Sequence, residues 1–277
     1  MSKFLSNAAV IDFDSEVKHE YQSGGKLRNT VTTRTGVVGE SYKFTRMGKG
    51  MANKKATQAD VTPMNIEHAR QTALLQNWNA PEYTDIFDAA EVNFDEKSEL
   101  AKTIAMALTR REDQIIINAM NAVTFVADST NANQGSTVAA GGQFNVQAMR
   151  TASKVMNARG VPQDGRYIAH TAADLESLLG EEEVTSSDYN TVKALVNGEL
   201  DTFVGFKLVL IEDRDEGGLP ANTLFAYHKA AVGYAVGMEP KTSVDWVPEK
   251  TSWLCNGKLK SGAVAREPQG IVKITTS

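Results

Sequence analysis

Residues 93–122 read NFDEKSELAKTIAMALTRREDQIIINAMNA, and this stretch decides the architecture. Leu100, Ile104, Leu108, Ile115 and Ala119, with Val123 just beyond, recur near a common face at helical spacing, so one long helix is predicted over Asn93–Ala122. Asn93 is placed to cap it, and Glu96, three residues on, to reach back as in a capping box. Asp95, Glu96 and Glu99 sit in the first turns, where the helix dipole favours negative charge. At 1.5 Å per residue the helix spans roughly 43 Å, so it is read as a spine along which the other elements pack.

Upstream, Val38, Glu40, Tyr42 and Phe44 alternate with smaller or polar residues and predict a strand. A second strand is predicted over Gln71–Trp78. Between them Arg46–Arg70 is polar and without a helical stripe, an excursion of about 20 to 25 residues where hairpin loops usually have 2 to 5. Either a functional loop or a disordered tip fits such a segment. The first ~35 residues read as an arm with a short helix over Asp14–Gln22, broken at Gly24-Gly25 and continued by the β-prone Asn29–Thr35. Downstream, the Gly-rich Val126–Gly142 is expected to be an exposed connection. A helix follows over Val146–Arg159, buried through Val146, Met149, Ala152, Val155 and Met156 and ended by Gly160 and Pro162. Arg166–His170 is a strand. Thr171 caps a helix that ends at Gly180, with Asp174 in the answering position. Ser187–Asn197 is a further helix, and Phe206–Ile211 a strand. Leu224–Met238, Ser243–Pro248, Ser252–Lys260 and Gly270–Thr275 read as β-structure. This order predicts an α+β protein with interleaved lobes.

The 277 residues include 29 basic and 34 acidic side chains, a net charge of −5, with 42% hydrophobic residues. A chain of this size buries roughly three quarters of its unfolded surface and needs no disulfide or metal to hold it. No apolar run approaches the ~20 residues of a membrane span. Met1–Val10 lacks the pattern of a secretory signal. Cys255 is the sole cysteine, which leaves no intrachain disulfide or multi-thiolate metal site and fits assembly in a reducing cytoplasm. Net negative charge argues against tight duplex binding.

A search for catalytic chemistry returns no nucleophile elbow, phosphate loop or dinucleotide fingerprint. Gly48-Lys49-Gly50 lacks the third glycine of a phosphate cradle and does not join a buried strand to a helix. His19, His68, His170 and His228 are scattered, and none belongs to a metal-binding pair. Cys255 reads as a small buried hydrophobe. Asp213–Gly218 has the opening of a calcium loop, but Leu224 stands where the bidentate glutamate belongs, so a surface turn is expected. Glu181–Glu183 reads as a solvated acidic loop, and Asp95 with Glu99 as dipole complementation. No catalytic, cofactor or metal site is assigned.

Charge is distributed unevenly. Ser41–Arg70 carries six basic residues (Lys43, Arg46, Lys49, Lys54, Lys55 and Arg70) against two acidic, a net of +4. Glu82–Glu99 carries seven acidic residues, among them Asp88, Asp95 and Glu99, against Lys97 alone, a net of −6. The basic loop either folds back on its own acidic neighbour or reaches a second copy, and the latter contact closes into rings when its rotation permits. Arg46, Lys49, Lys54, Lys55, Asp88, Asp95 and Glu99 are the expected interface residues.

Polar arm, extended loop, spine helix, mixed lobe and β-rich return, in this order, resemble a tailed-bacteriophage major capsid protein. Phe13-x-x-Glu16-Val17 with Tyr21, then Gly39-x-Ser41-x-x-Phe44-x-x-x-Gly48, is similar to the opening of capsid proteins from short-tailed phages. Leu74-Leu75 to Phe87 resembles the family's approach to the spine helix. Ala226–Gly233, Gly262-Ala263 and Gly270–Ile274 resemble its last strands. The resemblance implies an HK97-like fold with arm (1–36), extended loop and flanking strands (37–80), spine helix and peripheral domain (81–144), axial domain (145–225) and a β-rich return to the peripheral domain (226–277). It implies hexamers and pentamers tiling an icosahedral shell around double-stranded DNA, assembled in the host bacterial cytoplasm. A separate scaffolding protein, a portal, weak contact with DNA, no cofactor and no membrane complete the expectation. An encapsulin-like nanocompartment shell shares the fold and is the second reading; an unrecognised α/β enzyme is the third.

Overall fold

The structure is a computed structural model that describes residues 23–86, 96–127, 131–180, 202–212, 214 and 217–276. The helices expected at Asp14–Gln22 and Ser187–Asn197 lie outside the described residues, as do Glu181–Glu183 and the Asn93 cap. The described elements are β1 (Thr32–Arg34), β2 (Ser41–Met47), β3 (His68–Leu74), β4 (Gln76–Asp85), α1 (Glu96–Asn121), β5 (Phe125–Ala127), β6 (Gly135–Ala139), α2 (Val146–Ala158), β7 (Arg166–His170), α3 (Ala172–Leu179), β8 (Thr202–Phe203), β9 (Phe206–Leu210), β10 (Thr223–His228), β11 (Val232–Val247), β12 (Ser252–Ala265) and β13 (Ile271–Thr275).

The long helix is present as α1, but its buried face departs from the expected one. Ile104 and Leu108 are buried as predicted; the face then passes through Glu112, Asp113, Ile116, Ile117 and Met120, leaving Ile115 and Ala119 half-buried. The residue one turn beyond Leu108 is a carboxylate, so a count of apolar positions steps past it to 115. The N-terminal half of α1 packs Leu100, Ile104 and Leu108 on Trp78, Ala80, Cys255 and Leu259. These belong to a four-stranded sheet ordered β1-β11-β12-β4, in which β1 joins in parallel and the remaining pairs are antiparallel. Contact is close because Gly257 has no Cβ: one would lie 2.3 Å from the Ile104 Cγ2.

The second sheet has seven strands, ordered β5-β6-β13-β10-β7-β9-β8. Alternate residues of its central strands face two layers. Leu224, Ala226, Val272 and Ile274 pack under α2 and α3 with Met149, Ala152, Met156 and Leu178. Phe225, Tyr227 and Ile271 pack under the C-terminal half of α1 with Ile116, Ile117 and Met120. The helix is therefore shared by both sheets, as a spine should be. Asn145 caps α2 by accepting from the Ala148 N–H at 2.7 Å. Thr171 and Asp174 form the predicted capping box on α3.

Three expectations are corrected. Val126–Gly142 is not a plain exposed connection: it contains β5 and β6, and β6 lies inside the sheet, parallel to both neighbours. Small residues suit that slot, since a Cβ on Gly135 would lie 2.6 Å from the Phe125 ring. The strand expected from Val38 starts at Ser41, with Val38 96% exposed. Gln71–Trp78 is not one strand, because the chain changes sheets at Leu75, whose N–H donates to the Glu40 carbonyl at 2.8 Å. The seven-stranded sheet takes β5 and β6 from before residue 145, and half of β10 and all of β13 from after residue 225.

Strands β2 and β3 pair from Ser41↔Leu74 to Met47↔His68, and Phe44 and Ala73 pack with Leu75 and Ala235 at the hairpin's base. Gly262 lets that base close, since a Cβ there would lie 2.0 Å from the Leu74 carbonyl oxygen. Replacing Gly262 with Ala is expected to cost about 1–3 kcal/mol through overpacking against backbone, read as a lower urea midpoint at unchanged slope. Gly36→Ala, with nothing within 4 Å but a φ of +68°, should cost only about 1–2 kcal/mol from backbone strain.

Candidate functional site

The extended hairpin and its loop are the most prominent candidate. Residues 51–65 are exposed throughout, and a turn at the tip is closed by the Ala59 N–H donating to the Ala56 carbonyl at 3.2 Å. The base is fastened to its own chain. Arg46 donates to the Ala132 carbonyl at 2.9 Å and to the Asn133 Oδ1 at 2.6 Å. The Lys49 Nζ donates to the Arg159 carbonyl at 2.9 Å, at the C-terminus of α2, where the helix dipole favours a cation. Lys54 and Lys55 are exposed and make no hydrogen bond or ion pair among the described residues. Four sequence-predicted basic residues thus divide into two anchors and two cations presented to solvent.

On the acidic side, Asp88 and Asp95 lie outside the described residues. Glu99 is half-buried and pairs with Lys102 at 2.8 Å, one turn along α1. Glu82 and Asp85 lie near the far end of β4. Asp85 and Glu99 have partners of their own.

Sequence reasoning missed a buried ionic cluster on α1. Asp113, fully buried, accepts the backbone N–H of Lys26 at 2.9 Å, that of Leu27 at 2.8 Å, and the Arg214 guanidinium at 3.1 Å. Glu112 accepts the Tyr234 hydroxyl at 2.8 Å and Arg28 at 3.2 Å, and Arg28 reaches on to Glu239 at 2.6 Å. Residues 23–34 are thereby strapped across the spine, with Leu27 and Val31 in the core and β1 added to the edge of β11. Gly25 lies so close to α1 that a Cβ would sit 2.4 Å from the Thr109 carbonyl oxygen. Burial pushes the carboxyls of both Glu112 and Asp113 up from their ordinary range, against the pull of these donors. The readable signal was an acidic pair inside an otherwise apolar face.

His170 and His228 have local structural partners. His170 is buried with its Nδ1 donating to the Thr171 carbonyl at 2.9 Å, and burial lowers its pKa. His228 donates through Nε2 to the Asp164 carbonyl at 2.9 Å; His68 is exposed on β3, and His19 lies outside the described residues. Cys255 is fully buried beneath α1. Arg214, from the stretch that opens like a calcium loop, turns inward to Asp113. No cluster able to hold a metal occurs among the described residues, and no described helix is long and apolar enough to cross a membrane.

A family model described as phage capsid protein matches residues 5–277. No curated protein matches the sequence significantly. Among solved structures, the capsid of cyanophage P-SCSP1u matches at 17% identity and a TM-score of 0.77, over 99% of this chain and 95% of its own. The capsid of a native GTA particle matches at 16% and 0.77, over 99% and 97%. The head structure of Helicobacter pylori bacteriophage KHP40 matches at 11% and 0.75, over 97% and 96%. The shared fold is the HK97-like capsid fold expected from the sequence.

Asp113→Ala should destabilise the subunit by about 3–5 kcal/mol, because Arg214 and two backbone donors are left buried without their acceptor. For Glu112, a folded-state pKa above the unfolded value means that the native state holds its proton more tightly, so the contribution is present at low pH and lost as pH rises through the folded pKa. Subtracting a Glu112→Gln stability profile from the wild-type profile should give a difference that declines with rising pH; a difference that grows would show the donors outweigh burial.

Proposed function

The chain belongs to the phage capsid protein family and is a structural major capsid shell protein, and from that premise we propose that its copies form hexamers and pentamers tiling an icosahedral shell around double-stranded DNA. The observation that carries this reading is the family match from residue 5 to 277 on a fold shared over nearly the whole chain. Assembly in the host cytoplasm, with a separate scaffolding protein and a portal, belongs to the same proposal. So does a division of labour in which the seven-stranded unit forms the axial part and the four-stranded sheet with α1 the peripheral part. Net charge of −5 suits a wall that lets packaged DNA slide, with contacts that are weak and salt-sensitive. The protein has no catalytic role: alanine at His170, His228 or Cys255 is expected to alter folding or yield, not any turnover.

The interface residues fit the same reading. Arg46 and Lys49 set the direction of the loop from their own subunit, and Lys54 and Lys55 meet carboxylates of the next copy, for which Asp88, Asp95 and Glu99 are the proposed partners. Partly exposed pairs are each worth about 0–1 kcal/mol, so they act together and bear chiefly on register and encounter rate. Sedimentation and negative-stain microscopy of purified protein should show closed megadalton shells. Lys54→Glu with Lys55→Glu should leave the subunit folded, slow assembly in low salt, and be partly restored by Asp88→Lys, Asp95→Lys and Glu99→Lys; assembly of the double variant at the wild-type rate would refute the charge account.

A further inference from the structure

Two stretches of the chain carry basic residues and no acidic ones. Between Glu40 and Asp60 lie Lys43, Arg46, Lys49, Lys54 and Lys55; between Asp128 and Asp164 lie Arg150, Lys154 and Arg159. The fold brings the two together. Arg46 donates to the Ala132 carbonyl and to Asn133, and the Lys49 Nζ to the Arg159 carbonyl, so the base of the hairpin rests against the segment that contains α2. In a chain of net charge −5, this surface is positive.

Helix α2 presents it. Its buried side is Val146, Ala148, Met149, Ala152 and Met156. Its exposed side carries Gln147, Arg150, Lys154 and Asn157, a stripe at i, i+3, i+7 and i+10 that runs about 15 Å. Arg150 and Lys154 are one turn apart, where like charges repel and weaken a helix. At the C-terminal corner the excess grows. Arg166 is buried, and its guanidinium donates to the Asn157 Oδ1 at 2.8 Å, the Val161 carbonyl at 2.6 Å and the Pro162 carbonyl at 2.8 Å. All three acceptors are uncharged. The Lys229 N–H donates to the Gly165 carbonyl at 2.9 Å, which brings a further cation to the same corner. Lys49, Arg159, Arg166 and Lys229 thus stand against the exposed Asp164 and Glu267 and a helix end equivalent to roughly half a negative charge. A buried cation with only neutral acceptors and a like-charge pair on one helix face both weigh on the subunit alone. An external anion relieves the two together.

The kind of anion follows from the rest of the face. Among the described residues, none of the large apolar side chains left exposed lies on α2, whereas a protein partner is anchored by aromatic and apolar groups. Arginine, lysine, glutamine and asparagine are side chains that contact phosphate oxygens. Resting on the shell reading above, we propose that the solvent face of α2 and the adjoining hairpin base form the surface on which the packaged duplex lies, with Arg150, Lys154 and Lys49 on phosphates and Gln147 and Asn157 donating beside them. Such contacts read no base sequence. They are few in each subunit, so they hold the duplex weakly and let it slide. The α2 layer of the seven-stranded unit then lines the cavity of the shell.

Two measurements test this. Free full-length subunits are titrated against a short fluorescein-labelled DNA duplex at a series of salt concentrations, and binding is read by anisotropy. Arg150→Gln with Lys154→Gln should weaken low-salt binding roughly tenfold or more and reduce the slope of log K against log salt by about 2, as loss of two phosphate contacts requires. The circular dichroism spectrum should be unchanged. Lys241→Gln with Lys258→Gln removes as much charge from the four-stranded sheet and should leave the slope as it was; an equal fall would show net charge alone at work and overturn the site. Binding of poly-glutamate that exceeds duplex binding and is lost with the α2 pair would assign the face to an acidic polypeptide instead. In assembled protein, a Lys154→Cys thiol is read without interference, because Cys255 is fully buried. It should react with a maleimide carried on a polymer too large to enter the shell when subunits are free, and stay unlabelled in intact shells. Labelling of intact shells would put α2 on the outside and overturn the DNA surface while leaving the shell reading intact. Wild-type protein that forms no shells would overturn that reading, and the duplex titration would still report on the face.

Discussion

Glu112 and Asp113 are the point on which the fold turns. Two carboxylates are expensive to bury, and burying a charge without partners costs far more than burying it among donors. The spine helix therefore presses its acidic pair into the core only because Lys26, Leu27, Arg28, Arg214 and Tyr234 converge there. Those donors come from the strap, from the loop after β9 and from β11. Satisfying the pair brings three distant parts of the chain to one place. The strap's apolar anchors, Leu27 and Val31, and its three-residue parallel strand are consequences of that convergence.

With the spine fixed, both sheets are fixed against it, and the extended hairpin becomes a lever on a rigid base. Glycines at 257 and 262 let helix and hairpin approach the sheet at distances no side chain would permit. Arg46 and Lys49 give the lever a direction. A loop with few apolar contacts of its own can order on a second surface at little cost to its subunit, whereas the subunit core cannot shift without parting the buried carboxylates of Glu112 and Asp113 from their donors.

The expected fold was legible where local chemistry and tertiary packing agree. The α1 periodicity, the capped α2 and α3, and the long polar segment between two strands follow from side-chain spacing, turn residues and cap residues, all local in the chain. The charge imbalance between loop and acidic approach is likewise a property of composition. The register of α1 was misread because its face carries carboxylates, and polarity alone gives no sign that donors will arrive from residue 26 or 214.

Strand β6 escaped notice for a similar reason. Gly135–Ala139 has too little apolar surface to announce a strand, and only β5 and β13 on either side make one of it. The break at Leu75 and the mixing of β5, β6 and β13 into one sheet also arise from pairing between distant segments. By itself, then, the sequence determined the class, the helices and the existence of a long loop, because each depends on neighbours within a few positions. Which residues face the core, where the loop's cations point and which charged stretches come to lie side by side were decided only by tertiary structure, because burial and cross-strand register are set by partners that the linear chain does not place.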